Sequence, residues 1–161
     1  MKNSITIRQE SQSDHAAVRK ILDLAFDQAD EGDLVEALRK CDAFIPKLSL
    51  VAEQDGEVVG YILFTHIRIV EGKDSAASLA LAPVAVDPDH QGKGIGGQLI
   101  QEGHRRAKEL GHKSVILWGH ADYYPRFGYA PASYWQIHAP FDVPDEVFMA
   151  LELVPGGLEN V

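Results

Sequence analysis

The sequence predicts an α+β fold: a run of antiparallel strands, one helical crossover and a closing strand. Three observations predict it. Apolar-rich stretches at 48–53 and 58–69 flank Asp55-Gly56, a pair that supplies the positive φ of a tight hairpin turn. Residues 79–118 then read as strand, polar loop, helix and strand, a unit that usually sets two strands side by side in parallel. The 161 residues, 45% hydrophobic and 24% charged, suffice for one domain with its own core.

The elements follow in order. Residues 5–8 alternate apolar and polar, as a short first strand does. Ser13 and Asp14 offer capping oxygens to a helix whose apolar face is Val18, Ile21, Leu22, Leu24, Ala25 and Phe26. Asp33 is placed to cap a second, short helix carrying Leu34, Val35 and Leu38, and Pro46 ends that region. The two hairpin strands come next, then a polar turn at 71–75 and a third long strand at 79–86. A polar loop, 87–91, leads into a helix over 94–110, apolar at Ile95, Leu99, Ile100, Ala107 and Leu110, with Gly111 placed to terminate it. Residues 114–118 form an apolar strand, 122–127 a short helix or turn before Gly128-Tyr129, and 147–154 the last strand. Pro155-Gly156-Gly157 opens a loose tail. With no repeat, low-complexity tract or linker, the expected organisation is a single domain over 1–161.

A formal net charge of −9 argues against general nucleic-acid binding, which demands a basic surface. It favours a cationic partner, such as an amine, and leaves room for a locally positive anion pocket. The single cysteine, Cys41, permits neither an intrachain disulfide nor a site built on several thiolates. Met1-Lys2-Asn3-Ser4 runs into a polar segment unlike a signal peptide, and no apolar run approaches the ~20 residues of a membrane span. The expected location is cytoplasmic, with neither membrane nor nucleic acid as partner. Histidines at 15, 66, 90, 104, 112, 120 and 138 show neither H-x-x-x-H nor H-E-x-x-H spacing, so no metal is expected.

The informative segment runs from Val86 to Gly97. Glycines at 92, 94, 96 and 97 strip Cβ atoms from a strand-to-helix passage, so a bulky anion can approach the backbone. The first N–H groups of a helix lack intrahelical partners, and the helix dipole adds about half a positive charge there. Together they make a pyrophosphate site, to which Lys93 could add charge. Glycines 92, 94 and 97 also fit the dinucleotide pattern G-x-G-x-x-G, but five residues, Asp87 to Gln91, separate them from the strand. The Walker pattern fails for want of Gly-Lys-Ser/Thr.

Gln91-Gly92-Lys93-Gly94-Ile95-Gly96 matches Q/R-x-x-G-x-G/A, and through it the chain resembles the GCN5-related N-acetyltransferases, the GNAT superfamily. Tyr123-Tyr124-Pro125-Arg126-Phe127-Gly128-Tyr129 is similar to that family's Tyr-x-x-x-Gly-Phe motif, with tyrosine in the last place. With Leu81-Ala82-Pro83-Val84-Ala85-Val86 and Gly111-His112, the likeness is greatest to the YhbS-like branch. The resemblance covers nearly the whole chain and is specific from 79 to 131.

The resemblance implies a mixed, mostly antiparallel sheet with helices on both faces and a splayed parallel strand pair forming an acyl-CoA cleft. It implies acetyl-CoA as acyl donor. Backbone groups of Val84, Ala85 and Val86 would pair with the pantetheine amides, and amides of Gln91, Gly92, Lys93, Gly94, Ile95, Gly96 and Gly97 would hold the pyrophosphate. One N–H of the strand would polarise the thioester, and a fixed donor aimed at a developing oxyanion lowers the barrier to acyl transfer. Tyr124 stands where the family has its usual general acid, with Tyr123 as neighbour; Arg126 would contact a phosphate or cap a helix end. The strand over 79–86 carries no Glu or Asp, a common source of the family's base. His120 and His66 are the alternatives, and an asparagine frequent in relatives is replaced by the stretch Gly119-His120-Ala121-Asp122.

The expected function is transfer of an acetyl group to a primary amine, of a small molecule or a protein, by direct attack in a ternary complex. The alternative is a non-catalytic acyl-CoA-binding sensor or subunit, and a dinucleotide oxidoreductase is a weaker third reading. By the resemblance, the acceptor is shaped by residues about 24–46 and 131–146. Oligomeric state stays open, although the last strand could pair across a homodimer interface.

Overall fold

Asp55 and Gly56 are both left-handed, with φ of 53° and 83°, and the strands on either side pair antiparallel with Gln54 opposite Glu57. The computed structural model in which this is seen describes residues 4–71 and 73–159. Along it run β1 (Thr6–Gln9), α1 (His15–Phe26), α2 (Asp30–Leu38), β2 (Phe44–Gln54), β3 (Glu57–Glu71) and β4 (Asp74–Val86). Then come α3 (Ile95–Glu109), β5 (Ser114–Trp118), β6 (Ala130–Pro131) and β7 (Phe148–Glu152). The strands lie in the order β1-β2-β3-β4-β5-β7-β6. β4 and β5 are parallel, with Leu79 opposite Val115 and Ala80 opposite Ile116, and α3 is the crossover between them. β7 pairs antiparallel with both β5 and β6. The expected start at Met1–Asn3, Gly72 in the expected turn and the last two residues of the expected tail lie outside the described residues.

The chain clusters into two compact units. One runs through Thr65 and resumes over Ala82–Arg106; the other comprises His66–Leu81 and the chain from Ala107 onward. In the first unit, β3 is apolar on both sides because both sides are covered. Tyr61 and Leu63 pack with Val18, Ile21 and Leu22 of α1 and Val35 of α2. The alternate residues meet α3: a Cβ on Gly60 would lie 3.0 Å from Leu99 Cδ1, and one on Gly103 would lie 2.3 Å from Phe64 Cε1. Gly103 is therefore what lets α3 sit on the Phe64 ring. Burying each such Leu, Ile or Phe side chain contributes about 1.5–3 kcal/mol.

His104 also meets Phe64, ring to ring at 6.1 Å. Burial holds its pKa down at about 4, against about 6.5 in an unfolded chain. Between those values the unfolded chain takes up a proton that the folded one refuses. The stability His104 supports is thus complete above about pH 6.5 and is lost as pH falls through the folded value. Urea unfolding at pH 7 and pH 5 is expected to show that loss, with His104→Gln shrinking the difference; an undiminished difference in the variant would refute it.

Several boundaries differ from expectation. Ser13 does not cap α1; Asp14 reaches back to the Ser11 N–H at 2.7 Å and accepts from Arg8 at 2.8 and 3.0 Å, which holds its carboxyl well below the usual range. α2 begins at Asp30 after Ala29, so Asp33 lies in its first turn, where acids suit the helix dipole. Pro46 does not end a region but sits inside β2, within the irregular pairing between Phe44 and Ser49, where a missing N–H costs little. β4 starts at Asp74, ahead of the expected 79. α3 ends as expected at Gly111, whose N–H reaches Lys108 O (3.0 Å) while that of His112 reaches Ala107 O (3.0 Å). The tail is not loose: Leu158 is buried with Ile116, Ala132, Ile137 and Ala150, and its N–H donates to Glu152 Oε2 at 3.0 Å.

Candidate functional site

β4 ends at Val86 and the chain passes through a 3-10 turn, Pro88–His90, that Asp87 builds. The Asp87 N–H donates to Val59 O at 2.8 Å, its carboxylate accepts from the Asp89 N–H at 2.9 Å, and its carbonyl accepts from the His90 N–H at 2.8 Å. Gln91 reaches back, its side-chain amide donating to Val86 O at 3.1 Å. The end of the strand and the start of the loop are thereby fixed to each other. Ala85 is buried with Tyr61 and Leu63, while Val84 and Val86 are half-buried.

Gly92 and Gly94 take φ of 81° and 80°, where a side chain is strained. A Cβ on either would meet no atom within 4 Å, so that side of the loop is open. The first bond of α3 runs from the Gln98 N–H to Gly94 O at 3.1 Å. The N–H groups of Ile95, Gly96 and Gly97 precede that ladder and lack intrahelical acceptors. The Ile95 side chain is buried beside Gly60, which anchors the turn, and Lys93 is exposed at the positive end of the helix. A helix start of this kind, bare of side chains and carrying spare donors, suits a pyrophosphate.

Tyr124 and His120 belong to the second unit. Tyr124 opens a 3-10 turn, Tyr124–Phe127, and its N–H donates to His120 O at 3.4 Å. Its ring meets those of Tyr123 at 5.1 Å and Tyr129 at 5.9 Å, both edge-on. A Cβ on Gly119 would lie 2.5 Å from Tyr124 Cε2, so the ring occupies space that only glycine leaves free. Burial, and next the neighbouring Tyr123, push the Tyr124 phenol up to about 12. It is a proton donor at neutral pH. His120 is exposed. Arg126 lies over the Tyr123 ring at 4.8 Å and donates to Tyr123 O at 3.0 Å, which makes it a brace of this turn. His66 is exposed and lies 5.5 Å, ring to ring, from His112.

A family model described as an acetyltransferase (GNAT) domain matches residues 6–132. The chain belongs to the GNAT acetyltransferase family. This GNAT acetyltransferase is 38% identical over 142 residues to the uncharacterized N-acetyltransferase YjhQ of Escherichia coli K12, covering 88% of this chain and 78% of the relative. It is 32% identical over 156 residues to the uncharacterized N-acetyltransferase YhbS of the same strain, covering 96% and 91%. Among solved structures it is similar to YhbS from Escherichia coli in complex with CoA, with a TM-score of 0.91 and 29% identity over 100% of this chain and 88% of that one. A GNAT family acetyltransferase from Brucella melitensis in complex with acetyl-CoA matches with a TM-score of 0.76 and 35% identity, over 95% and 90%. The fold is the GNAT fold, and acetyl transfer from acetyl-CoA is the class of reaction.

Two residues of this GNAT chain escaped the sequence reading. Asp87 could have been found, because Asp before Pro signals the start of a helical turn. Gly119 carried no signal, because its partner ring lies five residues on and packs back by tertiary folding.

Proposed function

We propose that the protein moves an acetyl group from acetyl-CoA to a primary amine, of a small molecule or a protein, by direct attack in a ternary complex. The open, positive-φ loop with spare N–H donors at the start of α3 carries this reading. Backbone groups of Val84, Ala85 and Val86 pair with the pantetheine arm. Amides of Gln91, Gly92, Lys93, Gly94, Ile95, Gly96 and Gly97 hold the pyrophosphate. The neutral amine attacks the thioester carbonyl, the C–N bond forms and the C–S bond breaks. The sulfur takes the Tyr124 proton, and the proton shed by the nitrogen returns through solvent to the tyrosinate. His120 accepts, through water, the proton that the ammonium loses beforehand. Holding both reactants together removes much of the entropic barrier. A single domain over 1–161, a cytoplasmic location and a homodimer joined through the last strand belong to the same reading. Among the described residues no helix is long and apolar enough to cross a membrane.

A second reading, a non-catalytic acyl-CoA sensor or subunit, is favoured by the lack of Asp and Glu over 79–86. Calorimetric titration of acetyl-CoA, with NADH as control, tests what the two share. Saturable binding of acetyl-CoA but not NADH is expected, followed by thiol release with a panel of amines. No binding at millimolar ligand would sink both, and binding without thiol release would favour the sensor.

A further inference from the structure

We infer that the acceptor is an organic dication with an aromatic or bulky apolar body, bound on Trp118 and Phe141 with its non-reacting cation held by Asp142 and Asp145. The inference rests on the acetyl-transfer reading above and adds the substrate's chemistry. Trp118 is 63% exposed and Phe141 48% exposed, and their rings stand 5.3 Å apart. Phe141 in turn meets Phe148 edge-on at 6.4 Å. Trp118 is the last residue of β5, paired in register with Phe148 of β7, so the wall stands on a sheet. The exposed part of these rings is apolar surface that a ligand's apolar body can cover.

Beside this wall lies a cavity of about 140 Å³, lined by Ile137, His138, Phe141, Asp142, Asp145 and Phe148 among others. Its charge is one-sided. No Lys or Arg occurs after Arg126, while Asp142, Asp145, Glu146, Glu152 and Glu159 do. Among the described residues neither Asp142 nor Asp145 pairs with a Lys or Arg; the Asp145 carboxylate accepts the Ser133 hydroxyl, at 2.9 Å. Aromatic faces attract cations, and the carboxylates add to that attraction while turning anions away. An uncharged arene would leave the carboxylates unused, and a thin polyamine would leave the rings in water.

The wall is continuous with the segment that carries the proposed acid. Gly119 follows Trp118, donates its N–H to Val147 O at 2.8 Å and leaves the space that the Tyr124 ring fills. A diamine can thus keep one nitrogen charged at the aspartates and present the other, neutral, for acetylation.

Calorimetry with benzyltrimethylammonium, whose nitrogen cannot be acetylated, tests the pocket without catalysis. Saturable binding is expected, with benzoate failing to bind. Asp142→Asn with Asp145→Asn, both exposed, is expected to weaken the cation at least about tenfold, and Phe141→Ala likewise. Absence of cation binding in the intact protein, or equal binding in the double variant, would overturn the inference. In turnover, p-xylylenediamine is expected to exceed 4-(aminomethyl)benzoate in kcat/KM at least about tenfold, and equal values would also overturn it. If acetyl-CoA does not bind while the cation does, the transfer reading falls and the cation pocket stands.

Discussion

Tyr124→Phe is expected to lower kcat about a hundredfold while the dissociation constant for acetyl-CoA stays unchanged. The substitution removes one oxygen. The phenyl ring still meets Tyr123 and Tyr129 edge-on and still fills the space beside Gly119, so the fold has no reason to change. On the proposed mechanism, what is lost is the proton offered to the departing thiolate. Because burial holds the phenol near 12, it stays protonated well beyond the pH at which an exposed tyrosine, near about 10, would ionise. The wild-type rate should therefore show no descending limb from this group below about pH 11. Stopped-time assays of thiol release across pH, with calorimetry on both proteins, check the two halves. An unchanged kcat would remove Tyr124 from the chemistry, and a weakened cofactor would assign it to binding.

Gly94→Val is expected to raise the dissociation constant for acetyl-CoA at least about tenfold, through both strain and obstruction. At φ of 80° a β-branched side chain is strained, by roughly 1–2 kcal/mol or more. Its methyl groups would also project into the open side of the loop, where no atom lies within 4 Å of a Cβ. Gly56→Val separates the two effects. Gly56 has a φ of 83° and equally open surroundings, but it sits in the β2–β3 hairpin. Both variants should melt at lower temperature, and only Gly94→Val should lose acetyl-CoA. A similar loss in both would mean that the effect travels through general destabilisation.

Much of this was legible because it is local. Asp55-Gly56 states its turn in two letters, Gly111 ends α3 as its position implies, and the glycines at 92 and 94 mark the open, positive-φ loop at the start of α3. The parallel pairing of β4 with β5 follows from a strand, a helix and a strand in succession. What escaped depends on residues far apart. Pro46 reads as a stop until the irregular pairing of β2 with β3 shows that its missing N–H goes unused. β6 is two residues long and gains its identity only from pairing with β7. The buried network in which Ser49 donates to Glu10 at 2.7 Å and shares a 2.7 Å bond with the Tyr61 hydroxyl joins residues from three places in the chain. No spacing rule reveals it.

The aim of the Tyr124 ring is set from outside the motif that announces it. Gly119 Cα stands so close to the phenol that any added carbon would fall 2.5 Å from the ring. A descendant chain could keep every letter from Tyr123 to Tyr129, acquire alanine at 119, and turn the phenol proposed as the acid away from its place. Tyrosine retention would then overcount active enzymes among relatives, and the smaller residue upstream would be the better witness.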